Sequence, residues 1–285
     1  NPPVFTPSKV KKVSGFARSN IIEQRSEFWS FLPTIEYFKK RMTDELIRVL
    51  FKRSDVIIVE TERLLRLAES SRTFGNSKIR CVQMSPSAAF DNLKSASEMD
   101  IQDPIGVKKI AYIAGPHPNK RIEELAELFY WINRFEQEYR LVVTFNESSD
   151  YATVIKDSFN QYGVLDYVDF VGPISPDMVP DFLSDKCAVV NFSMLESFSN
   201  NWVEAWKFRK LLICRNDPYA VDSCGDAAFY LDLRSMRACA MELHRIFESE
   251  ELYVGFLEKG DKMLKSLPTS SEKFKKYMDI INEFC

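Results

Sequence analysis

The chain has 285 residues, enough for two ordinary domains, with 45% hydrophobic and 28% charged residues and a formal net charge of -3. This balance carries no basic stripe of the kind a duplex-binding protein needs, so nucleic acid is not an expected partner, and no apolar run approaches the roughly 18 residues of a membrane span. Six cysteines without a CxxC pair, and only two histidines, His117 and His244, argue against a metal centre and read as reduced thiols of a cytoplasmic protein. The basic clusters Lys9–Lys12 and Lys273–Lys276 are short and read as solvated faces, with a peripheral membrane contact as the weaker reading.

In chain order, Val4-Phe5 marks a strand ahead of a Ser14-Gly15-Phe16-Ala17 turn, and Phe38–Phe51 is a long helical stretch. Asp55–Val59 is a strand, Thr61–Ser70 a helix and Lys78–Val82 another strand, too little alternation for a complete doubly wound sheet. Asp91–Gly106 is polar and reads as an interdomain linker. From Val107 the alternation becomes regular. Strands at Val107–Ala114, Arg140–Phe145, Val168–Val171, Ala188–Phe192, Leu211–Cys214 and Phe229–Leu231 are expected. Helices at Arg121–Phe135, Tyr151–Tyr162, Met178–Leu183 and Asn200–Phe208 fall between them. Short strands separated by helices predict a parallel sheet covered on both faces, with ligands bound beyond the carboxyl ends of the strands. Thr269-Ser-Ser-Glu272 followed by Phe274, Tyr277, Ile280 and Ile281 predicts a capped amphipathic helix. The expected organisation is an N-terminal domain over 1–95, a second domain over 96–268 and a C-terminal helix over 269–285 that can pack back on the first domain.

Two loops carry chemistry. Ser193-Met-Leu-Glu196-Ser-Phe198-Ser199-Asn200-Asn-Trp-Val-Glu204-Ala205 runs from the end of a strand into a helix. The free N–H groups of such a helix start suit phosphate, and the two carboxylates suit sugar hydroxyls; together they fit a nucleotide-sugar. Gly115-Pro-His-Pro-Asn-Lys120-Arg121 follows another strand and offers two cations to hold a diphosphate. His117, between prolines, is uninformative and reads as structural or solvated. Gly172-Pro173-Ile174-Ser175 reads equally as a plain turn or as backbone facing a base edge. No D-x-D, G-x-G-x-x-G, G-x-x-x-x-G-K-[ST] or G-x-S-x-G motif occurs, which argues against a chelated metal–diphosphate, nicotinamide, P-loop or nucleophile-elbow chemistry.

From Gly115…Lys120 through Val168-Asp-Phe-Val-Gly172, Glu196-Ser-Phe-Ser…Glu204-Ala205, Leu211-Leu-Ile-Cys-Arg-Asn-Asp217 and Cys224-Gly-Asp-Ala-Ala-Phe-Tyr230, the chain resembles retaining GT-B glycosyltransferases of family 4, the glycosyl transferases group 1. Pro118-Asn119-Lys120-Arg121 and Ser14-Gly15-Phe16-Ala17 look most like its bacterial polysaccharide-biosynthesis branch. The resemblance implies an α/β fold of two Rossmann-like domains with parallel sheets, the N-terminal one incomplete here. It implies a metal-independent enzyme without a cofactor, moving a sugar from a nucleotide-sugar donor to a glycan or lipid-linked acceptor with retention. Carried over, Glu204 holds the ribose hydroxyls and Glu196 contacts the donor sugar. Backbone near Phe198, Ser199 and Asn200 meets the diphosphate and Lys120 balances its charge. Gly115, Arg121 and Ile174 complete the donor side. Three departures stand out: Pro116 where the family usually has arginine, Asn191-Phe192-Ser193 before the Glu loop, and no counterpart of the first N-terminal strand, its Gly-rich turn or an acceptor-side histidine. The start at Asn1 suggests that the native N-terminus is absent. A non-catalytic nucleotide-binding or scaffolding subunit is the alternative reading, and behind it stands a sugar-nucleotide epimerase, which would need acid–base residues for which no His pair is a candidate.

Overall fold

The computed structural model describes residues 10–23, 28–86, 108–135 and 137–284. The chain divides into two compact units, one of Asn1–Ser87, Leu195–Phe198 and Leu267–Cys285, the other of Ala88–Met194 and Ser199–Ser266. Val4-Phe5 and the linker stretch Asp91–Gly106 lie outside the described residues.

The first unit is built on a three-stranded parallel sheet in the order β1-β2-β3, with β1 at Val13–Gly15, β2 at Val56–Val59 and β3 at Lys78–Cys81. Helices α1 (Ser19–Ile22) and α2 (Thr34–Phe51) separate β1 from β2, and α3 (Glu62–Ser70) separates β2 from β3. The Val-Ile-Ile-Val run of β2 is buried throughout, as a central parallel strand requires. Ile57 and Val59 pack with Phe16, Phe51, Leu64 and Phe74, while Val56 and Ile58 pack with Val82. Thr61 caps α3 by accepting a hydrogen bond from Leu64 N at 3.2 Å. One expectation is corrected. Ser14 and Gly15 are not in a turn but in β1, paired with Ile57 and Ile58. The buried Ser14 hydroxyl accepts from Ser54 Oγ at 2.8 Å, which satisfies a polar side chain buried in the strand.

The second unit carries β4 (Lys109–Tyr112), α4 (Ala126–Ile132), β5 (Arg140–Val143), α5 (Asp150–Gln161), β6 (Val168–Phe170) and α6 (Val179–Ser184). It continues with β7 (Ala188–Asn191), α7 (Asn200–Lys207), β8 (Leu211–Arg215), α8 (Pro218–Cys224), β9 (Phe229–Leu231), α9 (Met236–Glu248) and α10 (Glu250–Ser266). The sheet order is β6-β5-β4-β7-β8-β9, all parallel. Its core joins Ile110, Tyr112, Phe129, Leu141, Phe159, Val190, Ile213 and Leu243. The helix expected from Arg121 is broken at its start. Pro118–Lys120 forms one 3-10 turn, Arg121 is left-handed at φ 50 and ψ 36, Ile122–Leu125 forms a second 3-10 turn, and α4 begins only at Ala126. The stretch after β9, to which the sequence analysis assigns no element, forms α9 and α10.

The chain then returns to the first unit as α11 (Ser270–Phe284). The expected capping box is present: Thr269 N donates to Glu272 Oε2 at 2.8 Å, and Glu272 N to Thr269 Oγ1 at 3.2 Å. Tyr277, Ile280 and Phe284 cover Val56 and Ile58 of β2.

Candidate functional site

In the second unit, β4, β5 and β6 step to one side of the sheet, and β7, β8 and β9 step to the other. The order therefore reverses between β4 and β7, and the crevice at the carboxyl ends of these two strands is where an open α/β sheet holds a ligand. The loops after β4 and β7 are the two that carry the predicted site.

These loops are stitched together. Tyr112, the last residue of β4, is fully buried; its hydroxyl donates to Lys120 O at 2.8 Å and accepts from Phe192 N at 3.0 Å. Met194 N donates to Asn119 O at 2.8 Å. His117 is exposed, and its Nδ1 accepts from Asn119 N at 3.1 Å and caps the turn that ends at Lys120. Gly115 is exposed on the same loop.

Beyond β7 the loop is closed on itself. Asn191, fully buried, donates through Nδ2 to Ser199 Oγ at 2.6 Å and accepts from Ser193 N at 3.3 Å. This gives the Asn191-Phe192-Ser193 departure a physical reason, since one amide side chain holds both ends of the loop. Tyr219 of α8 donates to Ser193 O, and its ring stacks with Trp202 of α7 at 6.1 Å between centroids. Ser199 is the residue before α7, and Asn200 its first.

Glu204 follows one turn into α7. It is only 9% exposed, and its Oε2 is buried without a hydrogen-bond partner among the described residues. Burial pushes its pKa up to about 7, since no opposite charge offsets the lost hydration. A buried acceptor left without a donor is costly to keep, and a hydroxyl-bearing ligand would satisfy it.

The second expected cation, Arg121, is engaged within its own segment. Its Nε donates to Glu124 Oε1 at 2.8 Å, and its Nη1 lies 3.4 Å from Glu123 Oε1. Glu124 also receives Arg215 Nη1 at 2.9 Å, from the carboxyl end of β8, and Tyr151 donates to Glu123 Oε2 at 2.5 Å. The left-handed Arg121 is thus held by charge on both sides, which offsets a conformation costing about 1–2 kcal/mol for a side chain with a Cβ.

On the other flank, an open cavity of about 560 Å³ lies at the ends of β5 and β6, lined by Asn146, Glu147, Ser148, Lys156, Phe170 and Gly172. Gly172, at φ +79, approaches Asn146 closely enough that a Cβ would meet its Oδ1 at 3.4 Å. Ile174, half-buried, follows on the same loop. Glu196 and Phe198 belong to Leu195–Phe198, the segment that clusters with the first unit. There Ser197 Oγ donates to Glu60 Oε2 at 2.6 Å, and burial, with the neighbouring Glu196 charge, raises the Glu60 pKa. Tyr112, Tyr219 and Glu60 were missed by sequence reasoning, and Asn191 was noticed only as a departure before the Glu loop, without its role.

Comparison with known proteins gives one family and many structures. The family model described as glycosyl transferases group 1 matches residues 100–263, more than half of the chain. No curated protein sequence matches the chain. Among solved structures, S. aureus TarM in complex with fondaparinux, alpha-GlcNAc-glycerol and UDP is similar at a TM-score of 0.68 and 15% identity, over 85% of this chain and 46% of TarM. Sucrose-phosphate synthase from Thermosynechococcus elongatus is similar at 0.71 and 14%, over 95% of this chain and 67% of the synthase. Anabaena HepE in complex with UDP and glucose is similar at 0.67 and 13%, over 85% of this chain and 67% of HepE. At these identities the likeness is one of fold, and the chain spans about half to two thirds of the length of these structures.

Proposed function

The chain belongs to the glycosyl transferases group 1 family, and from that premise we propose that it serves a retaining glycosyltransferase that uses a nucleotide-sugar donor and a glycan or lipid-linked acceptor. The observation that carries the reading is the stitched crevice between β4 and β7, with the unsatisfied Glu204 carboxylate beside it. In this reading the diphosphate lies against the N–H groups of Ser199 and Asn200, with Lys120 and Gly115 opposite. Glu204 accepts the ribose hydroxyls, and the base rests toward the β5–β6 cavity and Ile174. From β7 to β6 is three strand spacings, about 14 Å, a span a nucleoside diphosphate can bridge. Glu196 and Phe198 meet the donor sugar, and Arg121 braces the Lys120 turn. The acceptor oxygen bonds to the anomeric carbon on the face from which the diphosphate departs; that oxygen's proton passes to the departing phosphate, and Lys120 offsets the charge. The first unit takes the acceptor side.

Calorimetry of UDP, GDP and ADP against the chain tests the reading. One of them should bind, and Glu204→Ala should weaken it by about tenfold or more, the value of one or two hydroxyl–carboxylate hydrogen bonds. Unchanged binding in that variant overturns the assignment. A second reading, a non-catalytic nucleotide-binding subunit, draws on Pro116 and on the engagement of Arg121 with Glu124; turnover of the matching nucleotide-sugar separates the two.

Among the described residues no helix is long and apolar enough to cross a membrane. We infer a peripheral contact with an anionic bilayer instead, through α2. Ile35, Phe38, Met42, Leu46 and Val49 recur on one exposed face about 21 Å long. Within α2, Lys39, Lys40, Arg41 and Arg48 outnumber Glu36, Asp44 and Glu45, and Lys52 and Arg53 follow its end, the charge sign that suits anionic headgroups.

A further inference from the structure

We propose that Tyr112 is a positioning residue that sets the gap between the Lys120 turn and the loop leading to α7, and so the width of the diphosphate seat. The proposal rests on the donor-site reading above. A phenol at 0% exposure has no packing advantage over phenylalanine, and its hydroxyl costs free energy to bury unless bonded. Here it bonds twice, and both partners are backbone groups on opposite sides of the switch point: it donates to Lys120 O at 2.8 Å and accepts from Phe192 N at 3.0 Å. One oxygen atom therefore spans the two chain segments between which the ligand is placed. The second link, Met194 N to Asn119 O, joins the same loops one residue short of Lys120, whose own N–H is held within its turn by His117 O at 2.9 Å, so the link made at Lys120 itself is the one to Tyr112. Because the bond is made at the Lys120 carbonyl, Tyr112 governs where that side chain starts without touching the ligand. The nearest further hydroxyl, Ser193 Oγ, lies 3.5 Å from the phenol, at the limit of a hydrogen bond.

The test is Tyr112→Phe, with uridine and UDP as probes, or the guanosine or adenosine pair should the chain select that base. Uridine affinity should change by less than about twofold, whereas UDP affinity should fall about tenfold, as expected when one buried hydrogen bond to each loop is lost. In a Lys120→Ala background, Tyr112→Phe should have little further effect on UDP, because the contact it positions is already gone. Equal losses for uridine and UDP, or a UDP loss of the same size in both backgrounds, would reduce Tyr112 to ordinary packing and overturn the proposal. Amide exchange at Phe192 in the unsubstituted protein supplies a readout that needs no variant to fold: UDP should slow it and uridine should not, and no difference counts against the proposal. If UDP, GDP and ADP all fail to bind the unsubstituted chain, the donor-site reading itself falls, an outcome distinct from failure of the positioning role alone.

Discussion

Glu204 combines a cost and a use in one side chain. Its carboxyl is held near pKa 7 by burial, above its ordinary 4.5. The folded protein therefore retains a proton there that the unfolded chain gives up, and stability from this group falls as pH rises from about 4.5 to about 7. The size of that fall is at most about 3 kcal/mol. Glu204→Gln should remove it: the difference between the unfolding curves of the two proteins, followed by denaturant titration at several pH values, should widen through that window and flatten above it. A ligand that donates hydroxyls to the ionised carboxylate pulls the pKa down. Uridine, which has no phosphate of its own to titrate, should then bind up to about tenfold more tightly at pH 8 than at pH 6, and Glu204→Gln should abolish the trend. The place of this residue, one turn into a helix that follows a strand, could be read from the sequence because that signal is local. Tyr112 and Tyr219 were not, because each looks like any aromatic in an apolar run until the loops that meet its hydroxyl are in place. Lys120 and Arg121 illustrate the intermediate case. The basic pair was visible, but only the fold reveals that Glu123 and Glu124 claim Arg121, with Arg215 sharing Glu124.

Among the elements, α7 carries the site and α10 supports it from behind. Gly260 of α10 faces Trp206 of α7, so closely that a Cβ there would lie 2.7 Å from Trp206 Cδ1. Gly260→Ala gains helix propensity but must displace a buried indole, so a net loss of about 1–3 kcal/mol is expected in thermal or denaturant unfolding. Nucleotide affinity should weaken with it, as α7 shifts. Strands β2, β7 and β8 could be read from their apolar runs alone, since parallel strands buried on both faces are the easiest pattern to see. Helix α9 went unread, although Cys239, Ala240, Leu243, Ile246 and Phe247 recur at helical spacing and are all buried. The start of α4 was not readable. The apolar period runs on through Ile122 and Leu125, and the left-handed Arg121 that interrupts the helix leaves no mark in composition.

For the molecule as a whole, the α/β class and the parallel sheets followed from strand–helix alternation, and the place of the switch point followed from strand order, which no local pattern encodes. The exposed α2 face is a separate whole-molecule property. The chain should co-sediment with vesicles containing phosphatidylglycerol more than with phosphatidylcholine alone, and Phe38→Glu with Met42→Glu should abolish this. Because both side chains are exposed, the melting temperature should move little. Vesicle binding that survives the double substitution would exclude α2 as the contact. The return of α11 has a consequence for how the protein is made. The face of β2 formed by Val56 and Ile58 is covered by Tyr277, Ile280 and Phe284, more than two hundred positions later in the chain. During synthesis the second unit has all of its sheet once β9 has left the ribosome, while the earlier-made unit waits with an apolar strand face uncovered. The earlier-made unit is therefore the later one to complete its core, and it is this unit that a chaperone would be expected to hold.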